Sequence, residues 1–315
     1  LTEDQLRYID VVEANDRVIC SGGAGTGKTM LALELAKRWS AAGMKVALTC
    51  HSPWLKTYLE NAATPGVTVS LANSAPVTAR RAGIEVFDAL IVDEGQDVLN
   101  MDALERLDSV LRGGLDGGRW SFFHDANNQS GLCGEYQPDA YEYLAALGAV
   151  CIPSKTNCRN SLPILARVQK ALDADVGASA VGNGPPVREI TVAGREDAAV
   201  ALHNELLKLI NDEGLSPSDI VILSPETYSQ SCAALMPEHA GVHVAVLDAY
   251  SPRGAGNGAI GFAQIESFKG LESSVVWLVD MCAPSMKSPL RSSHYVGMTR
   301  ARALLGMIHV DPHGG

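Results

Sequence analysis

Gly22-Gly23-Ala24-Gly25-Thr26-Gly27-Lys28-Thr29 places a glycine, four free positions, a second glycine, a lysine and a hydroxyl residue in succession. Glycines let the backbone turn with no side chain in the way. A row of N–H groups wrapped at a helix start attracts phosphate. Such a loop works only between a strand and a helix. Here the apolar run Arg17–Ser21 precedes it and a helical pattern, Thr29–Ala42, follows. In that context Lys28 is placed to reach the outer phosphates of a nucleotide and Thr29 to ligate Mg2+. A chance glycine-rich turn is the competing reading, and eight matched positions in the right context make it the weaker one.

A second acidic feature complements the first. The apolar run Ala89–Val92 delivers Asp93 and Glu94 at its carboxyl end, where parallel α/β sheets bind ligands. Asp93 suits Mg2+ coordination, and Glu94 suits orienting or deprotonating an attacking water. In isolation the pair reads equally well as an acidic turn after a buried strand. Beside the phosphate loop it points to hydrolysis of Mg-ATP or Mg-GTP.

These groups need a scaffold of strands and helices. Apolar, β-rich runs alternate with helical patterns, as a parallel α/β fold requires. Strands are predicted at Arg17–Ser21, Val46–Cys50, Val67–Ser70, Ala89–Val92 and Trp120–Phe123, and later at Ile220–Leu223, Val242–Val246, Gly261–Ile265 and Val275–Val279. Helices are predicted at Asp4–Glu13, Thr29–Ala42, Pro53–Asn61 and Asp102–Leu111, then at Leu162–Asp173, Asp197–Asn211 and His294–Ala303. Gly182–Pro186 and Ser251–Gly258 read as loops. One α/β set is complete before Ala149–Thr156, so the expected domains are 1–150 and 151–315.

The 315 residues suffice for two domains of ordinary size. Hydrophobic residues are 46% and charged ones 19%, the balance of a globular soluble chain. No apolar run approaches the ~18 residues of a membrane span, and the polar start is not a signal peptide. Leu1 is not Met, and the chain is expected to be a segment of a longer polypeptide. Seven cysteines, with no C-x-x-C pair, argue against zinc or a disulfide framework and for a cytoplasmic location. The net charge of −11 argues against a broad basic face for nucleic acid while leaving room for a narrow groove.

Further motifs follow in fixed order: DEGQD at 93–97, HDANNQS at 124–130, NCRN at 157–160, SFKGLES at 267–273 and YVGMTRAR at 295–302. The set resembles the UvrD/Rep-like superfamily 1 helicases. DEGQD, DANNQ and NCRN are similar to the helicase-like module of NERD-domain proteins. The resemblance runs from Thr2 to about Val310 and implies two tandem RecA-like domains with parallel sheets and ATP between them. It implies that Gln5 reads the adenine, an exchange amide groups make well, although a solvated helix residue would look the same. Gln129 resembles the glutamine that senses the γ-phosphate and attacking water. Arg159 and Arg300 resemble two arginine fingers from the second domain, and Glu272 resembles a ribose-contacting glutamate. Leu48–Ser52 resembles the first DNA-contacting motif, with Trp54 either a stacking group or a packed side chain.

The chain also departs from that family. Cys50 to Asp93 and Arg159 to Lys269 leave no room for large inserted subdomains. Gln129 is followed by Ser-Gly-Leu-Cys-Gly, without the aromatic residues that stack on DNA bases. Cys158 stands where those helicases have a tyrosine against the adenine. The implied activity is therefore a compact Mg-ATP-driven module acting on single-stranded DNA. It would be coupled to a nuclease or other effector in repair or foreign-DNA defence. The alternatives are an ATP-dependent switch regulating a protein partner, and a nucleotide-binding scaffold without turnover.

Overall fold

The computed structural model describes residues 3–125, 127, 136–237, 241–249 and 258–311. The chain forms two compact units, Leu1–Cys158 with Asp175–Ala178, and Arg159–Ala174 with Ser179–Gly315.

In the first unit the elements run α1 (Glu3–Ala14), β1 (Arg17–Gly22), α2 (Lys28–Ala41), β2 (Val46–Cys50), α3 (Pro53–Ala62), β3 (Val67–Leu71), α4 (Ala75–Arg81) and β4 (Ala89–Val92). They continue as α5 (Met101–Asp108), α6 (Gly114–Gly117), β5 (Arg119–Asp125), α7 (Pro138–Ala146), β6 (Val150–Ser154) and β7 (Thr156–Asn157). Six strands form one sheet in the order β3-β2-β4-β5-β1-β6, and every pairing is parallel. A parallel sheet is covered on both faces, so its strands read as continuous apolar runs. All four residues of β4 are buried. On α2 the buried side chains Leu31, Ala32, Leu35, Ala36 and Trp39 share one stripe. Helix starts are locally specified: Ser52 accepts from Leu55 N–H at 3.3 Å ahead of Pro53, and Asn100 accepts from Ala103 N–H at 2.9 Å.

Registration brings the chemistry to one edge. Gly22, the last residue of β1, pairs with Asp125, the last of β5. Val92 pairs with Phe122, so Asp93 leaves the sheet on that same carboxyl edge. Strand β5 lies between β1, which ends at Gly22, and β4, which leads into Asp93 and Glu94.

The short β8 (Ala178–Ser179) is divided between the units, and the second contains α8 (Leu162–Leu172), β9 (Arg188–Val192), α9 (Arg195–Asn211), β10 (Ile220–Ser224), β11 (Val244–Val246), β12 (Ile260–Gln264), β13 (Ser273–Met281), α10 (Arg291–Met298) and β14 (Ala301–Val310). Its sheet, ordered β11-β12-β10-β13-β14-β9, is also six-stranded and parallel throughout. Leu202, Leu206, Ile222, Phe262 and Trp277 anchor its core.

The α/β class with two parallel sheets is as expected, and the spans Cys50–Asp93 and Arg159–Lys269 hold core elements only among the described residues. Three strands of the two large sheets went unpredicted, β6, β9 and β14, as did the short pair β7 and β8. The expected division after residue 150 falls on the first residue of β6, which pairs with β1. The compact units instead part after Cys158. The helix expected over His294–Ala303 ends at Met298, and the chain from Ala301 is a ten-residue strand. Most of the loop read over Ser251–Gly258 lies outside the described residues. No described helix is long and apolar enough to cross a membrane.

Candidate nucleotide site

Carbonyl oxygens inside a phosphate loop would repel an anion, so where they point decides what the loop can hold. Here five successive carbonyls are occupied. Gly22 and Gly23 accept from Lys28 Nζ at 2.9 and 2.8 Å, and Gly23 also accepts from the Thr26 hydroxyl at 3.0 Å. Ala24 accepts from Asn157 Nδ2 at 2.8 Å and Gly25 from Cys158 N–H at 2.8 Å. Thr26 accepts from Gln5 Nε2 and from the Ser154 hydroxyl, each at 3.5 Å. Gly25 and Gly27 take φ of 83°, a region that favours glycine, and Gly27 is the residue from which α2 springs. A side chain at Gly23 would strike the Asp175 carbonyl at 2.5 Å.

The loop is therefore braced by chain from well outside the motif. Asn157 is fully buried and also donates to Val176 carbonyl at 3.1 Å. Asn127 and Asp175 exchange two bonds, amide to carbonyl at 2.8 Å and backbone N–H to amide oxygen at 3.0 Å. The bracing roles of Ser154, Asn157 and segment Asp175–Ala178 were not read from the sequence. The motif NCRN drew attention for its arginine, and its first residue is the one that holds the loop.

On the carboxyl edge, Asp93 is fully buried. Its Oδ1 accepts from Glu94 N–H at 3.0 Å, while Oδ2 has no hydrogen-bond partner among the described residues. Burial, and then the Glu94 charge, push the Asp93 carboxyl up to about 7 against the neighbouring Thr29 hydroxyl and Lys28 ammonium. A buried carboxylate oxygen left without a donor suits a cation. Among the described residues no group of three or more His, Cys, Asp or Glu is positioned to hold a metal. One carboxylate, one hydroxyl and substrate phosphates are a donor set typical of Mg2+. Thr29 and Asp93 thus fit that ion beside a loop that fits phosphate.

Glu94 has φ of 52°, a left-handed conformation that is unusual for a glutamate. Its carboxylate accepts a hydrogen bond from Gln96 Nε2. Gln96 Oε1 in turn accepts from Asp125 N–H at 2.9 Å. Asp125 lies 4.0 Å from Lys28 Nζ. His124, beside it, is held down to about 4 by burial and by Lys28, so its imidazole is neutral. Gln96 carries no signal in the sequence beyond its place in DEGQD.

Gln5 is nearly buried. Its Nε2, besides reaching Thr26, lies 3.7 Å from Cys158 Sγ. It lines a cavity of ≈310 Å³ with Tyr8, Leu31, Pro153 and Lys155. Gln129 lies outside the described residues. On β2, Thr49 and Cys50 are fully buried, and Trp54 at the start of α3 is half-buried. The six described cysteines are free, and burial pushes Cys20 up to about 12.

The second unit gathers the other expected residues. Arg159 Nε donates to Glu272 Oε2 at 2.7 Å. Arg302 Nη1 lies 3.8 Å from Glu272 Oε1. Burial raises the Glu272 carboxyl, but the Arg159, Arg302 and Arg300 charges outweigh it and hold it below its ordinary value. Asn160 Nδ2 donates to Thr299 and Ala301 carbonyls at 3.1 and 2.6 Å, tying NCRN to the start of β14. Arg300 is 1% exposed. It donates to Val296 and Leu271 carbonyls at 3.0 and 3.3 Å and to the Thr299 hydroxyl at 3.1 Å. A guanidinium so engaged must exchange these partners before it can meet a phosphate.

No family model matches the chain, and no curated protein matches it in sequence. Among solved structures it is similar to arterivirus nonstructural protein 10, a helicase, in complex with DNA: TM-score 0.49 and 15% identity over 97% of this chain and 63% of that one. The same arterivirus protein without DNA gives 0.47 and 16% over 97% and 61%. The PRRSV helicase gives 0.46 and 17% over 97% and 55%. The chain thus spans about three fifths of the length of these helicases. Its fold assignment stands on its own strand orders and parallel pairings.

Proposed function

We propose that this chain is a Mg-ATP-hydrolysing, superfamily 1 helicase-like module of two RecA-like domains that moves on or remodels single-stranded DNA. The occupied carbonyls of residues 22–26 are the observation that carries the ATPase part. With those acceptors engaged, the loop repels an anion less, which suits phosphate. In this reading the segment Gly22–Gly27 wraps the β-phosphate and Lys28 leaves the Gly22 and Gly23 carbonyls for the outer phosphates. Thr29 and Asp93 hold Mg2+, which when bound neutralises phosphate charge. Glu94 orients the attacking water and takes its proton. Gln5 reads the adenine, Glu272 the ribose, and Gln129 senses the γ-phosphate.

Arg159 and Arg300 act as the arginine fingers, a role worth ~10³–10⁵ in rate where it occurs. Arg159 must trade Glu272 for phosphate, and Arg300 must trade its carbonyls. Binding of ATP and exposure of the fingers are then linked steps, and loss of the γ-phosphate reverses them. Coupling to a nuclease or other effector, in repair or defence against foreign DNA, belongs to the same proposal.

The net charge of −11 favours a second reading, an ATP-dependent switch acting on a protein partner. Phosphate release measured with and without single-stranded DNA separates the two. The motor reading expects stimulation that fades as salt rises. An unchanged rate at low salt favours the switch and contradicts the motor.

A further inference from the structure

We infer that Gln96 is the positioning residue for Glu94, and that its amide is a two-ended link between the water-activating carboxylate and the end of β5. This rests on the hydrolytic reading of Glu94. Gln96 is 1% exposed, so both ends of its amide need partners. The orientation follows from chemistry. Asp125 N–H can only donate, so the atom facing it at 2.9 Å is the amide oxygen. The NH2 end therefore faces Glu94 Oε2, to which it donates.

Glu94 needs such a hold. Its left-handed backbone is a costly conformation for a residue with a Cβ, and surrounding contacts must maintain it. A neutral donor at position 96 fixes the carboxylate without neutralising it, which a base must avoid. Glutamate at 96 would accept from Asp125 N–H but present a carboxylate to Glu94. Methionine would fill the volume and supply neither bond. The far end of the link is the backbone of Asp125, four residues before Gln129.

Gln96→Glu and Gln96→Met, compared with wild type, test the assignment through two readouts. These are steady-state ATP turnover and affinity for a fluorescent ATP analogue with Mg2+. We expect kcat to fall by about 10²-fold in both, as for a slightly misplaced catalytic group, with nucleotide affinity within about twofold of wild type. Turnover near wild type in either variant overturns the inference. So does a parallel loss of affinity and rate in both, since that marks a residue supporting the fold of the site. A wild-type protein that binds nucleotide without turning it over fails differently: the hydrolytic reading falls first, and the inference falls with it.

Discussion

At the residue scale, the glycines, Lys28, Thr29, Asp93 and Glu94 stand out in the sequence because the chemistry expected of them depends on local spacing. The residues that hold them were not, because their partners are distant in sequence. Asn157 meets Ala24 across 133 positions, and Gln96 meets Asp125 across 29. Arg300 was legible by motif, yet its buried bonds to Val296, Leu271 and Thr299 leave no mark in a sequence. Asn157 offers a direct test. Asn157→Ala removes the amide donor shared by two buried carbonyls, Ala24 and Val176, and should cost about 1–3 kcal/mol. Asn157→Asp replaces the donor with an acceptor facing those carbonyls and should cost more. Urea unfolding measures both, and nucleotide affinity should weaken in each. Unaltered stability and affinity would show that the loop does not depend on this brace.

Elements were legible where an apolar run was bounded by clear turns, as in β2, β4 and β10. The three strands missed in the large sheets have physical reasons. Strand β6 contains Pro153 and lies at a sheet edge, where proline is tolerated. Strand β9 is an edge strand with alternating exposure. Strand β14 follows α10 after only Thr299 and Arg300, and its Ala and Leu residues favour helix, so the helical pattern reads straight through. Packing overrides that preference. Gly306 pairs with Trp277 of β13, and a Cβ there would lie 2.4 Å from the indole ring. Gly306→Ala should therefore destabilise the second unit by about 1–3 kcal/mol in chemical denaturation. No change would mean that β14 does not lie where described.

The same unit carries a pH-dependent element contact. Arg167 on α8 binds Glu189 on β9 at two points, 2.5 and 3.0 Å, and His309 on β14 adds a third at 3.3 Å. The Arg167 bond outweighs burial and holds the Glu189 carboxyl below its ordinary 4.5. A lowered carboxylate stabilises the fold above that value, and the contribution disappears as pH falls through the folded one. The stability difference between wild type and Arg167→Ala should therefore narrow between about pH 6 and pH 3. A difference independent of pH would contradict this pairing.

For the whole molecule, two parallel sheets were legible from alternating strand and helix patterns, while their limits were not. The expected boundary missed β6 and the returning segment Asp175–Ala178, because pairing with β1 and bracing of Gly23 are tertiary facts. Residues 22–29, Asp93 and Glu94 are proposed above to form a hydrolytic Mg-ATP site. The most direct test compares phosphate release from Mg-ATP, and affinity for ATP, in wild type and Glu94→Gln. We expect turnover by wild type, unchanged affinity in the variant, and a loss of turnover of at least about 10²-fold, the scale of general-base catalysis. Hydrolysis by Glu94→Gln at the wild-type rate would contradict it.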